Sequence, residues 1–217
     1  MTEISVDTKV ERQINIALIG VFDLANYGDH LFPLVLKQYL AKKHVDCRVD
    51  LFSIYEQPEA FVTGVQVYSI FDLEKKHLQK KYDLLFVGGG DIVHYGAYKH
   101  ANSGKQVIYP IFALWTIPSL IAKKHNIKIA WNSPGIPFDF CEPFMEFTKE
   151  VISVVDYISV RNISSKEALN KLEIPSKKEC FVFPDTAFAL RDCFDEKTQI
   201  KICQFKQGRA VFARPCL

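Results

Sequence analysis

A chain of 217 residues that is 48% hydrophobic and 24% charged can bury a substantial core, as one large domain or two small ones. Its 27 basic and 25 acidic side chains leave a formal net charge of +2, with no Lys/Arg run long enough to follow a phosphate backbone, so nucleic acid is not an expected partner. Six scattered cysteines (Cys47, Cys141, Cys180, Cys193, Cys203, Cys216) form no CxxC pair and no zinc-like spacing with histidine; they read as reduced, mostly buried thiols of a cytoplasmic protein, and no metal is expected.

Residues 1–13 mix Glu3, Asp7, Lys9, Glu11 and Arg12 with few apolar side chains and read as an N-terminal extension, neither signal peptide nor anchor. Residues 14–19 (Ile-Asn-Ile-Ala-Leu-Ile) read as a buried strand ended by Gly20, and Leu31, Leu34, Val35 and Tyr39 then recur at helical spacing. A strand follows over 47–53, a short one near 65–68, a helix over 74–81, and an apolar strand over 84–87 that runs into Gly88-Gly89-Gly90. Residues 107–122 are uncharged, too few for the roughly 20 of a spanning helix and interrupted by Pro110 and Pro118, so a helix over 107–125 buried on the sheet is expected. The other reading of that segment is peripheral contact with the inner membrane surface. Strands at 127–131, 157–160 and 180–183 alternate with helices at 142–154 and 164–172. This alternation, with apolar strand runs, predicts an α/β fold with a doubly wound, Rossmann-like parallel sheet over 14–195. Residues 196–217 read as an interdomain link or a truncated tail.

Such sheets bind ligands at the carboxyl ends of their strands, and every distinctive motif falls there: Asn26–Asp29, Gly88–Asp91, Ser133–Pro137, Arg161 and Pro184-Asp185. Asn26 and Asp29 suit sugar hydroxyls, one as amide donor and acceptor, the other as a proton-taker; Asp29 as a helix cap is the structural alternative. Tyr27 and Gly28 lie between them, Gly28 admitting close backbone approach. Gly88, Gly89 and Gly90 lack both the GxGxxG spacing and the GK[ST] ending, so they read as a floor for a ligand or as a tight turn. Asp91 and His94 stand at the same rim, as does Gly135 in the loop after the strand at 127–131. Arg161 precedes a Ser164-Ser165-Lys166-Glu167 capping box and is the candidate anion ligand, or else a salt bridge to Asp185. Tyr95 and Tyr98 are the aromatic residues best placed to stack on a sugar, ahead of Tyr27 and Trp131.

In chain order, Asn-Tyr-Gly-Asp (26–29), Gly-Gly-Gly (88–90), Pro-Gly-Ile (134–136), Val-Arg-Asn-Ile-Ser-Ser-Lys-Glu-Ala-Leu (160–169) and Pro-Asp (184–185) resemble the polysaccharide pyruvyl transferase family over about residues 14 to 190. Asn162 stands where that family usually has Asp. The resemblance implies the first half of a two-domain GT-B-type transferase, with the acceptor on this half and the second half missing. It implies a pyruvyl transferase that uses phosphoenolpyruvate as donor substrate, without further cofactor, to place a ketal on a sugar of a polysaccharide or its lipid-linked precursor. Asp29 and Arg161 would then be catalytic, and Asn26, Tyr27, Gly28, Gly88, Gly89, Gly90, Asp91, His94, Gly135 and Asp185 substrate-binding. A non-catalytic glycan-binding remnant and a nucleotide-sugar glycosyltransferase domain are the alternative readings.

Overall fold

Strand β1 (Ile14–Ile19) is apolar on both sides, and the fold follows from where its two faces go. Ile16 and Leu18 pack with Phe22, Phe32, Val49, Leu51 and Val67 under helix α1 (Tyr27–Lys42), while Ala17 and Ile19 join the larger core on the opposite face. A strand covered on both faces reads as a continuous apolar run, the mark of a parallel sheet. The computed structural model describes residues 12–59, 64–102, 105–174 and 178–194, and the side chains of these except 98–102 and 105–107.

After α1 come β2 (Cys47–Ser53), β3 (Val67–Ser69), α2 (Leu73–Lys80) and β4 (Leu84–Gly88). A two-stranded insertion, β5 (Ala97–Asn102) and β6 (Lys105–Pro110), precedes α3 (Ala113–His125), β7 (Lys128–Asn132), α4 (Met145–Val154), β8 (Tyr157–Val160), α5 (Ile163–Asn170) and β9 (Cys180–Val182). A 3-10 turn (Thr186–Ala189) and α6 (Leu190–Cys193) complete the described chain. The main sheet has seven strands in the order β3-β2-β1-β4-β7-β8-β9, every pair parallel. The chain winds outward from β1 to β3, then returns to start the other wing at β4. The order therefore reverses between β1 and β4, and the crevice of a doubly wound sheet opens above that pair.

Two expectations are corrected. Residues 107–110 belong to a strand, so the helix begins only at Ala113; Val107, Ile108 and Tyr109 are β-branched or aromatic, and Pro110 closes β6 instead of opening a helix. The rest of the apolar segment is buried on the sheet as expected, with Leu114, Trp115, Ile121 and Ala122 in the core. Trp131 is also core: it is fully buried and meets Trp115 edge to face at 6.1 Å, so it offers no ring to a sugar. Of the described cysteines, all free, Cys193 is buried, Cys47 and Cys180 are half-buried and Cys141 is exposed. Residues 1–11 and the chain from 195 on, with Cys203 and Cys216, lie outside the described residues.

Candidate functional site

The loops after β1 and β4 flank the reversal point, and the first of them is organised by Asn26. Its backbone is extended and its side-chain oxygen accepts from the Gly28 N–H at 3.2 Å, which makes Asn26 the N-cap of α1. Its amide Nδ2 donates to Asp29 Oδ2 at 2.6 Å. Asp29 is thus not the cap. It lies in the first turn, only 6% exposed, and burial pushes its carboxyl up to about 7, with the nearby Asp185 charge adding to the shift and Arg161 and the Asn26 bond opposing it.

The three glycines make room for the chain's own side chains. Gly89 and Gly90 both have positive φ, 86° and 64°, the turn alternative raised by the sequence. A Cβ on Gly89 would lie 3.1 Å from the Phe32 ring, and one on Gly90 3.2 Å from Asp29 Oδ1. The loop closes onto α1, and Asp29 rests against it. Gly28 is different: a Cβ there would meet only Asn26 Oδ1, at an ordinary 3.6 Å.

The loops after β4, β7 and β8 are zipped together by main-chain bonds. Gly135 donates to Gly90 O at 2.9 Å, Val93 to Gly135 O at 3.2 Å, and Arg161 to Pro134 O at 3.3 Å. Over that seam Arg161 pairs through Nη1 with Asp91 Oδ1 at 3.0 Å and through Nη2 with Asp185 Oδ2. Gly135 lies beneath the pair; a Cβ there would fall 1.8 Å from Asp91 Oδ1 and 2.8 Å from Arg161 Cδ. Asp185 also takes the Ala187 N–H at 2.9 Å, so one carboxylate caps the 3-10 turn and holds the guanidinium. The salt bridge that the sequence offered as the alternative is present, and an anion reaches Arg161 only in competition with two carboxylates.

The helix after Arg161 is capped otherwise than expected. Asn162, not the serine box, is the N-cap: its Oδ1 accepts from the Ser165 N–H at 2.8 Å and the Ser164 hydroxyl at 2.9 Å. Asn caps as well as Ser does, so α5 starts directly behind Arg161. Ser165 is buried and accepts the Ile136 N–H at 2.9 Å, which ties the Gly135 loop to the same helix.

Among the other candidates, Tyr27 is half-buried beside Leu31, Val35 and Leu190. His94 is buried; burial holds its imidazole below the ordinary histidine range, against a bond that the ring donates to the Asp91 main chain, and Nδ1 accepts from the Gly96 N–H at 2.8 Å. Tyr95 is spent internally, stacked on Phe144 at 4.5 Å with its hydroxyl 2.7 Å from Thr148 Oγ1. The side chain of Tyr98 lies outside the described ones. The structure therefore brings Asn26, Asp29, Gly90, Asp91, Gly135, Arg161 and Asp185 to one rim.

Sequence reasoning missed a buried polar knot beside them. Asp23 Oδ1 accepts from Ser53 Oγ and Tyr109 OH, both at 2.6 Å, and its Oδ2 accepts from the Tyr55 N–H at 2.8 Å. Burial and the Asp23 carboxylate push the Tyr109 phenol up, so it stays a donor. The knot pins the β5–β6 hairpin to the ends of β1 and β2. Asp23 lies in the post-β1 loop and was legible as a polar residue there; Tyr109 was hidden by its assignment to a helix. Among the described residues no group of three His, Cys, Asp or Glu is placed to hold a metal, and no helix is long and apolar enough to cross a membrane.

A doubly wound sheet with acidic and amide side chains at its reversal point defines the Rossmann-like class, and comparison with known proteins narrows it. A family model described as polysaccharide pyruvyl transferase matches residues 26–210, most of the chain. The chain belongs to that family. No curated protein matches it by sequence. Among solved structures it is similar to UDP-GlcNAc 2-epimerase from Methanocaldococcus jannaschii, with a TM-score of 0.52 and 16% identity over 91% of this chain and 51% of that one. A weaker likeness, to the Rex-family repressor RSP, has a TM-score of 0.36 and 13% identity over 74% of this chain and 57% of that one. The chain thus spans about half the length of these structures, and the epimerase likeness supports the Rossmann-like fold and its resemblance to one half of a GT-B-type protein.

Proposed function

We propose that this chain is the acceptor-holding part of a polysaccharide pyruvyl transferase that takes the enolpyruvyl group of phosphoenolpyruvate onto a sugar as a ketal. The observation that carries the reading is Asp29: a buried carboxyl beside the reversal-point crevice, poised near pH 7, where a general base is most effective. Asp29 takes the proton of an acceptor hydroxyl as its oxygen bonds to C2 of the enol ether, while the methylene carbon gains a proton. A second hydroxyl then attacks C2, phosphate leaves, and the ring of the ketal closes. Arg161, held by Asp91 and Asp185, fixes those two carboxylates as acceptors for sugar hydroxyls. Three carboxylates around one guanidinium favour a hydroxyl-rich acceptor over a trianionic donor, which supports placing the donor cations on another part of the enzyme.

The test is phosphate release from phosphoenolpyruvate in the presence of an oligosaccharide acceptor, with mass spectrometry of the glycan. One phosphate released per ketal formed is the expected result. Phosphate release without change in glycan mass, or ketal formation undiminished in Asp29→Asn, overturns the assignment.

A further inference from the structure

The 3-10 turn after β9 crosses the rim, and its contacts come in the order of the strands beneath it. Asp185 holds Arg161 of the loop after β8, and Thr186 Oγ1 accepts from Asn132 Nδ2, at the carboxyl end of β7, at 2.6 Å. Ala187 and Ala189 then pack with Leu31 and Val35 of α1. Asn132 is level with Gly88 in the β4–β7 register, so the Asn132–Thr186 pair stands beside the strand that bounds the reversal point. Neither residue belongs to a glycine-bearing or charged loop motif, and 54 residues separate them in the chain, so sequence reading passed over both.

The bond between them leaves hydrogen-bonding capacity open. An amide carries two donor hydrogens and a carbonyl oxygen, and a hydroxyl carries one donor and two lone pairs. Whichever way the amide is turned, at least one donor and one acceptor are left side by side. Neither side chain bonds a second partner among the described residues, and both are half-buried, so a ligand can reach them. The pair is also held in place. Asp185 caps the turn through the Ala187 N–H at 2.9 Å, and the Phe188 N–H donates to Asp185 O at 3.0 Å, so Thr186 has little freedom left to lose on binding.

A neutral donor beside a neutral acceptor is selective. An ammonium has nothing to accept from the donor. A carboxylate or phosphate has nothing to give the acceptor, and it meets the Asp185 charge one residue away; an apolar group leaves both unpaired. A hydroxyl satisfies the two together. We propose that Asn132 and Thr186 form a subsite for one hydroxyl of the acceptor, next to the Asp185 carboxylate, and that they discriminate among sugars by the position of that hydroxyl. That the ligand is a sugar rests on the acceptor reading of the rim; the preference for a hydroxyl rests on the pair itself.

The experiment is saturation-transfer NMR titration of the full chain with the methyl glycosides of glucose, galactose, mannose and N-acetylglucosamine and with their monodeoxy analogues, without phosphoenolpyruvate. The expected result is that at least one glycoside binds and that one of its deoxy analogues binds about tenfold more weakly, the worth of one well-placed hydrogen bond. That difference is expected to vanish in Thr186→Val and in Asn132→Ala, while the other deoxy analogues rank as in the wild type, and to persist in Thr186→Ser, which keeps the hydroxyl. Variants that weaken the parent glycoside and every analogue by the same factor overturn the proposal, because the pair then only fastens the turn. Wild-type protein that binds none of the glycosides more tightly than about 50 mM overturns it as well. Glycoside binding without phosphate release from phosphoenolpyruvate leaves the subsite standing and removes the transfer chemistry, whereas transfer with unaltered discrimination in the variants removes the subsite and leaves the transfer.

Discussion

Asp29 is where burial has its sharpest consequence. Burial raises its carboxyl from the ordinary 3.8 to about 7, so between about pH 4 and pH 7 the folded state holds a proton that the unfolded state has lost. Stability therefore falls as pH rises through that window, by an amount on the order of 4 kcal/mol at full strength. Asp29→Asn removes the cost, so the variant is expected to melt above wild type at pH 8, to show no such gain at pH 4, and to lose about a hundredfold or more in turnover. A melting temperature below wild type at pH 8 would show that the carboxylate holds the fold by some other bond. If Asp29 is the base, kcat/KM rises with pH through about 7 as it ionises. Gly135 makes the second residue-scale prediction. Gly135→Ala drives a methyl into Asp91 and Arg161 and is expected to cost about 1–3 kcal/mol in urea unfolding, together with most activity, while Gly28→Ala, with its contact at 3.6 Å, is expected to fold and turn over nearly normally.

Among elements, the β5–β6 hairpin depends on long-range contacts for its place. Two hydroxyls hold it to the rim: Tyr109 donates to Asp23, and Tyr55 to the Ile108 carbonyl at 2.7 Å. Tyr109→Phe leaves the buried Asp23 carboxylate one donor short and is expected to cost about 1–3 kcal/mol by denaturant unfolding. A loss within error would mean that the knot is slack and the hairpin is held elsewhere. At this hairpin the structure departs from the sequence pattern for a physical reason. Val107–Pro110 opens an uncharged run of sixteen residues and is too short to tell period 2 from period 3.6, so by sequence it reads as one piece with the helix that follows. The capping of α5 by Asn162 instead of Ser164 was misread for a related reason, since several adjacent residues were able to cap and only the backbone path decided among them.

At the scale of the molecule, charge sets what this rim can hold. Asp29, Asp91 and Asp185 outnumber Arg161, so isothermal titration of the chain with phosphoenolpyruvate is expected to give a Kd weaker than about 1 mM. Asp91→Asn frees one side of the guanidinium and is expected to tighten that binding about tenfold. Micromolar affinity in the wild type would place the donor on this domain and reverse the division of labour proposed here.

The sequence by itself determined the parallel sheet and the rim. Continuous apolar strand runs such as Leu84–Val87 state burial on both faces, and glycine-bearing polar loops after them are readable because few residues other than glycine tolerate those turns. What only the tertiary structure decided was partnership. That Arg161 is already claimed by Asp91 and Asp185, that Asn26 rather than Asp29 caps α1, and that Tyr109 reaches Asp23 across 86 residues of chain are all contacts between segments distant or ambiguous in sequence. Residue type announces that a side chain can bond, and the path of the backbone alone chooses with whom.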